Sequence, residues 1–257
     1  MGYTGRIHWS RRPVSKRECR CENVGSWSLT VVAKVTTHDN NTYATNTTAP
    51  EWSITWQYPR GPPTQPVHAF PNIKIDDEGL FPMEISQVAS IHFETEWHYG
   101  VGDQKPNDTD LAALLGPDVE MNANVAIDMF LDSDPSKATD TEEATYEVMI
   151  WLAQFGASTQ QIGLAEGAIA TQVINGVTFS LYSGVNGLGQ HVLTWVASEA
   201  VQTFDADLGP LLYGMTGLGG PSTTDYLGYM SFGSETLDAQ SNVTFYNPTL
   251  NMHIVQL

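Results

Sequence analysis

Tyr146-Glu147-Val148-Met149-Ile150-Trp151-Leu152 reads as a β-strand whose two faces differ in kind. Side chains alternate across a strand with a period of two. Val148, Ile150 and Leu152 therefore share one face, and Glu147, Met149 and Trp151 share the other. The first face is apolar and suits a core. The second sets a carboxylate, a thioether and an indole in one row, a pattern that fits a sugar-binding floor with a reactive group in it. It also fits a plain sandwich strand with a solvent-exposed Glu and a partly buried Trp.

The same texture extends in both directions. Strand-like stretches recur at Trp27–Val35, Trp52–Tyr58, Ile85–Tyr99, Asn124–Leu131, Ala168–Ile174, Val177–Tyr182, Gln190–Ala197, Tyr226–Phe232 and Met252–Gln256. Between them lie turn clusters such as Pro59–Pro66, Asp132–Asp140 and Asn247–Pro248. Asn175-Gly176, between two β-rich runs, is a strong signal for a type I′ hairpin. Many short strands with this punctuation predict a sandwich or barrel, not βαβ units. One stretch has helical spacing: Phe204, Leu208, Leu211, Leu212 and Met215, with Asp205 or Asp207 as N-cap and Pro210 tolerable only in a first turn. It predicts a single short helix on the outside of the sheets.

Two further strands carry acids on the face opposite the core. In Asn124–Leu131, Val125, Ile127 and Met129 have core parity, while Ala126, Asp128 and Phe130 have the other. An acid inside an otherwise apolar strand usually has a partner or a job. In Tyr229–Glu235, Met230 and Phe232 have core parity, and Tyr229, Ser231, Gly233 and Glu235 the other. Small residues leading to a Glu leave room for a ligand beside the carboxylate. The bland counterpart is a Gly-containing strand end with an exposed Glu.

Composition narrows the classes. The chain has 257 residues, a net charge of −18 and only 16% charged residues, with seven Trp and ten Tyr. Such acidity excludes nucleic acid and anionic membrane surfaces as expected partners, while a neutral polymer is not repelled. The aromatics serve sugar stacking or core packing equally well. Residues 1–20 hold six of the eleven basic residues (Arg6, Arg11, Arg12, Lys16, Arg17, Arg20) and one acid, Glu18. The rest of the chain carries −23. The break predicts an atypical basic segment over 1–24, outside the regular fold, followed by a single domain over 25–257. Cys19 and Cys21, one residue apart, are poor partners for a structural disulfide. No HExxH or Cys/His ligand spacing occurs, so no metal and no cofactor is expected. No apolar run is long enough for a membrane span. Sequons at Asn40, Asn46, Asn107 and Asn242, with the acidity, favour a secreted, extracellular glycoprotein, although no leader is visible at Met1.

In these segments the chain resembles glycoside hydrolase family 12, the small endoglucanases and xyloglucanases. Glu147-Val148-Met149-Ile150-Trp151-Leu152 is similar throughout to the family's E-[LIV]-M-I-W-L strand. Gly233-Ser234-Glu235 approaches its G-T-E, 88 residues further on, and Val125-Ala126-Ile127-Asp128-Met129-Phe130 approaches V-A-Y-D-x-F. Weaker echoes are Val67–Asn72 for V-K-S-Y-x-N and Leu181–Gly187 for L-Y-x-G-x-N-G. The likeness runs from about residue 50 to the end. The chain departs from the family at the amino end. N-N-L-W-G, whose Trp stacks on a sugar, is missing, and Gly25-Ser26-Trp27-Ser28 stands where G-S-Q-C belongs. Thr236-Leu237 replaces the usual Pro-Phe after the acid.

The resemblance implies an all-β fold, a jelly-roll sandwich of two curved antiparallel sheets like that of concanavalin A, with a groove crossed by polysaccharide. It implies endo-acting, retaining hydrolysis of β-1,4-glucosidic bonds in cellulose, xyloglucan or mixed-linkage β-glucan, by a monomer. Glu147 corresponds to the nucleophile, Glu235 to the acid/base and Asp128 to an assisting acid. Met149, Trp151, Phe130 and Tyr229 are the expected sugar contacts. Retaining chemistry needs carboxyl groups about 5–5.5 Å apart, close enough to raise one pKa and keep a proton available. A mildly acidic optimum is expected. The rival reading is a catalytically silent carbohydrate-binding protein on the same scaffold, which the altered amino end motivates and retention of all three acids opposes. A xylanase of the sister family is a third reading, disfavoured by the M-I-W strand.

Overall fold

A computed structural model describes residues 32–37, 49, 51–63, 66–75 and 79–257. The basic segment, both cysteines, Gly25–Ser28, the sequons at Asn40 and Asn46, and the expected boundary at residue 25 lie outside the described residues. The strands are β1 (Val32–Thr37), β2 (Trp52–Gln57), β3 (Asn72–Lys74), β4 (Met83–Glu84), β5 (Val88–Val101), β6 (Asn122–Asp132) and β7 (Tyr146–Phe155). They continue with β8 (Ala170–Ile174), β9 (Val177–Val185), β10 (His191–Ala197), β11 (Thr203–Asp207), β12 (Tyr226–Gly233), β13 (Thr236–Asp238) and β14 (Val243–Gln256). Three short helices intervene: α1 (Leu111–Leu115), α2 (Pro135–Ala138) and α3 (Gly209–Tyr213).

The strands form two sheets, one in the order β1-β2-β14-β5-β11 and the other β3-β12-β6-β7-β10-β9-β8, with β4 on β12 and β13 on β6. The core lies between them. Val125, Ile127, Met129 and Leu131 of β6, and Val148, Ile150 and Leu152 of β7, meet Trp52, Phe93, Trp97, Tyr99 and Phe245 from the facing sheet. Burial of this apolar surface, worth about 25 cal/mol per Å², is the main drive holding the layers together. The alternation seen in the sequence thus sets which face of the larger sheet looks inward. Asp128 and Glu147 are left on the face turned away from the core. The two-layer all-β jelly roll is as expected.

Several details differ from expectation. β10 runs parallel to β7, from His191 beside Tyr146 to Val196 beside Trp151, so the larger sheet is not wholly antiparallel. The chain leaves β7 for the far edge and returns through β8, β9 and β10, which reverses the direction of the last strand. Among the described residues there are three short α-helices, not one. The 204–215 stretch splits into β11 and α3, because Phe204 pairs with Thr95 along the free edge of β5 and is buried there. An unpaired edge is a strong template for strand addition, and Phe204 and Ala206 satisfy period two as well as they satisfy a helix. Pro210 does fall in the first turn of α3, but the N-cap is Leu208, not an Asp. Asp207 instead accepts hydrogen bonds from the amides of Ile91 (2.8 Å) and Gly209 (2.9 Å). Asn247-Pro248 is a bulge within β14, not a turn. The side chain of Asn247 accepts from the Trp52 indole (2.9 Å) and donates to Thr95, Glu96 and Thr249, replacing the ladder that Pro248 breaks. Asn175 and Gly176 take φ of 47° and 81°, as a type I′ turn requires.

Candidate active site

Glu147 stands on β7 between Phe130 of β6 and Val192 of β10, and Phe130 is in turn opposite Tyr229 of β12. One residue pair along, Asp128 lies between Met149 and Ser231. Two acids from neighbouring strands therefore share one wall of a pocket, together with the buried rings of Phe130 and Tyr229, with Phe70 from the segment entering β3, and with Asn72, the first residue of that strand. The facing wall comes from two loops, Thr141 and Glu142 before β7 and Asn186, Leu188 and Gln190 between β9 and β10. Phe130 and Tyr229 meet edge to face, with centroids 5.6 Å apart.

The Glu147 carboxylate accepts a hydrogen bond from Asn186 Nδ2 at 2.8 Å. Burial raises its pKa, and the Asn186 amide opposes that rise. Glu235 follows β12 and is clamped to Asn124 of β6. The Glu235 amide donates to Asn124 Oδ1 (2.9 Å), the Asn124 amide donates to the Glu235 carbonyl (3.1 Å), and Asn124 Nδ2 donates to Glu235 Oε2. Burial, and after it the negative charge of Glu147, push the Glu235 carboxyl up to about 7, against the Asn124 hydrogen bond. The two acids thus act on one another electrostatically. Burial raises both carboxyls, each has an amide donor that opposes the rise, and the charge of Glu147 adds to the rise at Glu235. Two carboxyls held unequally in this way suit acid–base chemistry on a single bond.

The structure brings Glu147, Asp128, Phe130 and Tyr229 to one pocket, with Glu235 in electrostatic reach of Glu147. Met149 and Trp151 lie on the same face of β7 but belong to an adjoining cluster with Ala126 and Val192. There the Trp151 indole donates to Met149 Sδ at 3.3 Å. Gly233 does not open space for a ligand. A Cβ at that position would stand 2.1 Å from the Pro71 carbonyl oxygen, so the room is filled by the chain entering β3. Residues that sequence reasoning left without a role are Asn124, Phe70, Asn72, Thr141, Glu142, Leu188, Asn186 and Gln190. Asn124 has the parity of Asp128 and was legible by that alternation. The loop residues had no periodic signal, only the weak Leu181–Gly187 echo for Asn186.

Comparison with known proteins bears on the family and the fold. The sequence model of "Glycosyl hydrolase family 12" matches residues 23–253. A xyloglucan-specific endo-β-1,4-glucanase A of Emericella nidulans is 31% identical over 203 residues, 78% of this chain and 73% of the relative. A probable enzyme of the same name from Aspergillus flavus is 28% identical over 251 residues, 91% of each chain. Among solved structures, Trichoderma harzianum endoglucanase 3 superposes with a TM-score of 0.68 at 24% identity, covering 88% of this chain and 85% of that one. The last likeness concerns the fold; the family match spans most of the sequence, and the chain belongs to glycosyl hydrolase family 12.

Proposed function

We propose that this glycoside hydrolase cleaves β-1,4-glucan chains internally, with xyloglucan as the first substrate to try, by a retaining mechanism. Glu147 attacks the anomeric carbon as the glycosidic C–O bond breaks, and Glu235 gives its proton to the leaving oxygen. In the second step Glu235, now a carboxylate, takes a proton from water. That water attacks the anomeric carbon and releases Glu147. Asp128 assists from beside the nucleophile. Phe130, Tyr229, Met149 and Trp151 contact the sugars. The observation that carries the reading is the Glu147 carboxylate in a pocket beside Asp128, with Glu235 clamped by Asn124 close enough for the two acids to interact. The xyloglucan preference is supported by the names of the relatives alone. Secretion, supported by the acidity and the sequons, and action as a monomer belong to the same proposal.

Reducing ends released from xyloglucan, mixed-linkage β-glucan and carboxymethylcellulose test it. Wild-type protein should release them, and Glu147→Gln should lose about three or more orders of magnitude in kcat while remaining folded, as when other essential catalytic groups are removed. A wild-type chain that binds glucan without cutting it, or a Glu147→Gln variant of normal activity, overturns the assignment. The kcat/KM profile should fall on its alkaline side near pH 7, where Glu235 loses its proton, giving a mildly acidic optimum. A maximum above neutrality contradicts it.

A further inference from the structure

The donor that serves Glu147 has no freedom to turn round. Asn186 Oδ1 accepts the backbone amides of Leu188 and Gln190, each at 3.0 Å, so its Nδ2 must face outward, where it donates to both Glu147 Oε2 and Gln190 Oε1 at 2.8 Å. Gln190 is equally fixed. Its Nε2 donates to the carbonyls of Thr141 (3.0 Å) and Ala144 (2.8 Å), which leaves Oε1 as the only end that can face Asn186. The Asn186 amide thus donates both ways, to Glu147 and to Gln190, and Gln190 donates in turn to the loop that enters β7. Thr141 and Glu142 of that loop form a wall of the pocket. Gln190 is buried (4% exposed) and borders the pocket, but both hydrogens of its amide are spent on the loop.

We propose that Gln190 is a positioning residue for the hydrolytic reaction, acting through Asn186 to hold the Glu147 carboxylate in its attacking orientation and to tie that orientation to the Thr141–Ala144 wall. The inference rests on Glu147 being the nucleophile and adds a residue that does not itself touch the reacting atoms. Two backbone amides already turn Asn186 Nδ2 toward Glu147, and Gln190 takes its second hydrogen, which holds that donor in place against the loop. Without Gln190 the Asn186 side chain loses one of its two acceptors, and the wall loses both bonds that hold it to the β9–β10 turn.

The test is a cycle of Gln190→Met, Asn186→Ala and the double variant, assayed on an aryl β-cellotrioside. Each single variant should lower kcat by up to about 10²-fold, the scale of a misplacement of about 1 Å, with KM little changed. The double variant should be no slower than Asn186→Ala alone. The acid limb of kcat/KM should move to higher pH, fully in Asn186→Ala, where the carboxylate loses a donor that favours its charged form, and in part in Gln190→Met, where that donor is held less well. The other ionisable groups facing Glu147 are Asp128 from β6, Tyr229 and Glu235 from β12 and the turn after it, and Glu142 from the loop. β10 presents the uncharged Val192. All of them are present in every variant. Unchanged kcat in Gln190→Met, or losses that multiply in the double variant, overturn the relay. If Gln190→Met does not fold by circular dichroism, Gln190→Leu replaces it. That variant adds no charge and offers Asn186 no acceptor, so the acid limb must still rise; a limb that does not move overturns the relay. Glu147→Ala with added azide separates the two claims, since the truncation leaves azide room to attack. If Glu147→Ala is fully active without azide, the nucleophile reading itself fails. If it is inactive and azide restores turnover while Gln190→Met is normal, the relay alone fails.

Discussion

Glu235 stores a cost that the reaction uses. Its carboxyl has an ordinary value of 4.5 and stands at about 7 in the folded chain. Below pH 4.5 it is protonated whether the chain is folded or not, so it contributes no pH dependence there. Between 4.5 and about 7 the unfolded chain releases the proton and the folded chain keeps it, so stability falls as pH rises through that window. At 1.36 kcal/mol per unit the loss approaches about 3 kcal/mol, part of it owed to the charge on Glu147. Glu235→Gln carries no titrating proton at this position. Its unfolding free energy should therefore fall between pH 5 and pH 8 by about 1–3 kcal/mol less than that of the wild type. Urea unfolding at the two pH values measures the difference. Equal pH dependence in the two proteins means that Glu235 is not raised. Asn124 survives the change, since its Oδ1 still accepts the backbone amide of residue 235 and its Nδ2 meets an amide oxygen where a carboxylate was.

Among the elements, β3 shows how far local pattern carries and where it stops. β6, β7 and β12 were readable because each has an apolar side that alternates over the stretch carrying its site residue, although bulges break it at Leu227/Tyr229 in β12 and after Leu152 in β7, and that alternation points to the faces of Glu147, Asp128 and Tyr229. β3 has only three residues, too few to show a period, and it is held by its partner. Gly233 admits it, since any Cβ there would stand 2.1 Å from Pro71 O and 2.8 Å from Asn72 Cα. Both contacts are backbone and do not move aside cheaply. Gly233→Ala should cost about 1–3 kcal/mol, the usual penalty of overpacking. It should also weaken glucan binding, because β3 brings Phe70 and Asn72 to the pocket. Thermal unfolding and KM measured together check both effects. A neutral outcome in both means that β3 can shift without consequence. The split of 204–215 into β11 and α3 has the same cause: a free edge of β5, which only the assembled sheet reveals, outweighs helical spacing. The pairs that complete the site, Asn124 with Glu235 and Asn186 with Glu147, join residues 111 and 39 positions apart. They follow from register between strands, which no single segment carries.

At the scale of the whole molecule, a buried polar thread crosses the apolar core from the smaller sheet to the active face. The Trp56 indole donates to Tyr99 Oη at 2.9 Å. Tyr99 Oη lies 2.8 Å from Ser234 Oγ, and Ser234 Oγ donates to the Asn124 carbonyl at 2.6 Å. Ser234 has one proton and gives it to Asn124, so Tyr99 must be the donor to Ser234. The far end of the thread is the residue that clamps Glu235, and the near end is anchored on β2 and β5, which pair with β14 and not with any strand of the active sheet. The spacing of the two layers is thus coupled to the position of the acid/base by directed bonds as well as by packing. In Tyr99→Phe the ring is kept, but the Trp56 indole loses its acceptor and the Ser234 hydroxyl its donor, both buried. Groups left this way cost about 1–3 kcal/mol each, so urea unfolding should show a loss of at least that size for a change of one oxygen atom. If the thread also holds Asn124 in place, kcat falls further than KM changes, and the alkaline limb of the pH profile moves as Glu235 alters its contact with Asn124. A variant that is destabilised but has an unchanged profile confines the thread to a structural role, while one with wild-type stability contradicts the burial of these groups.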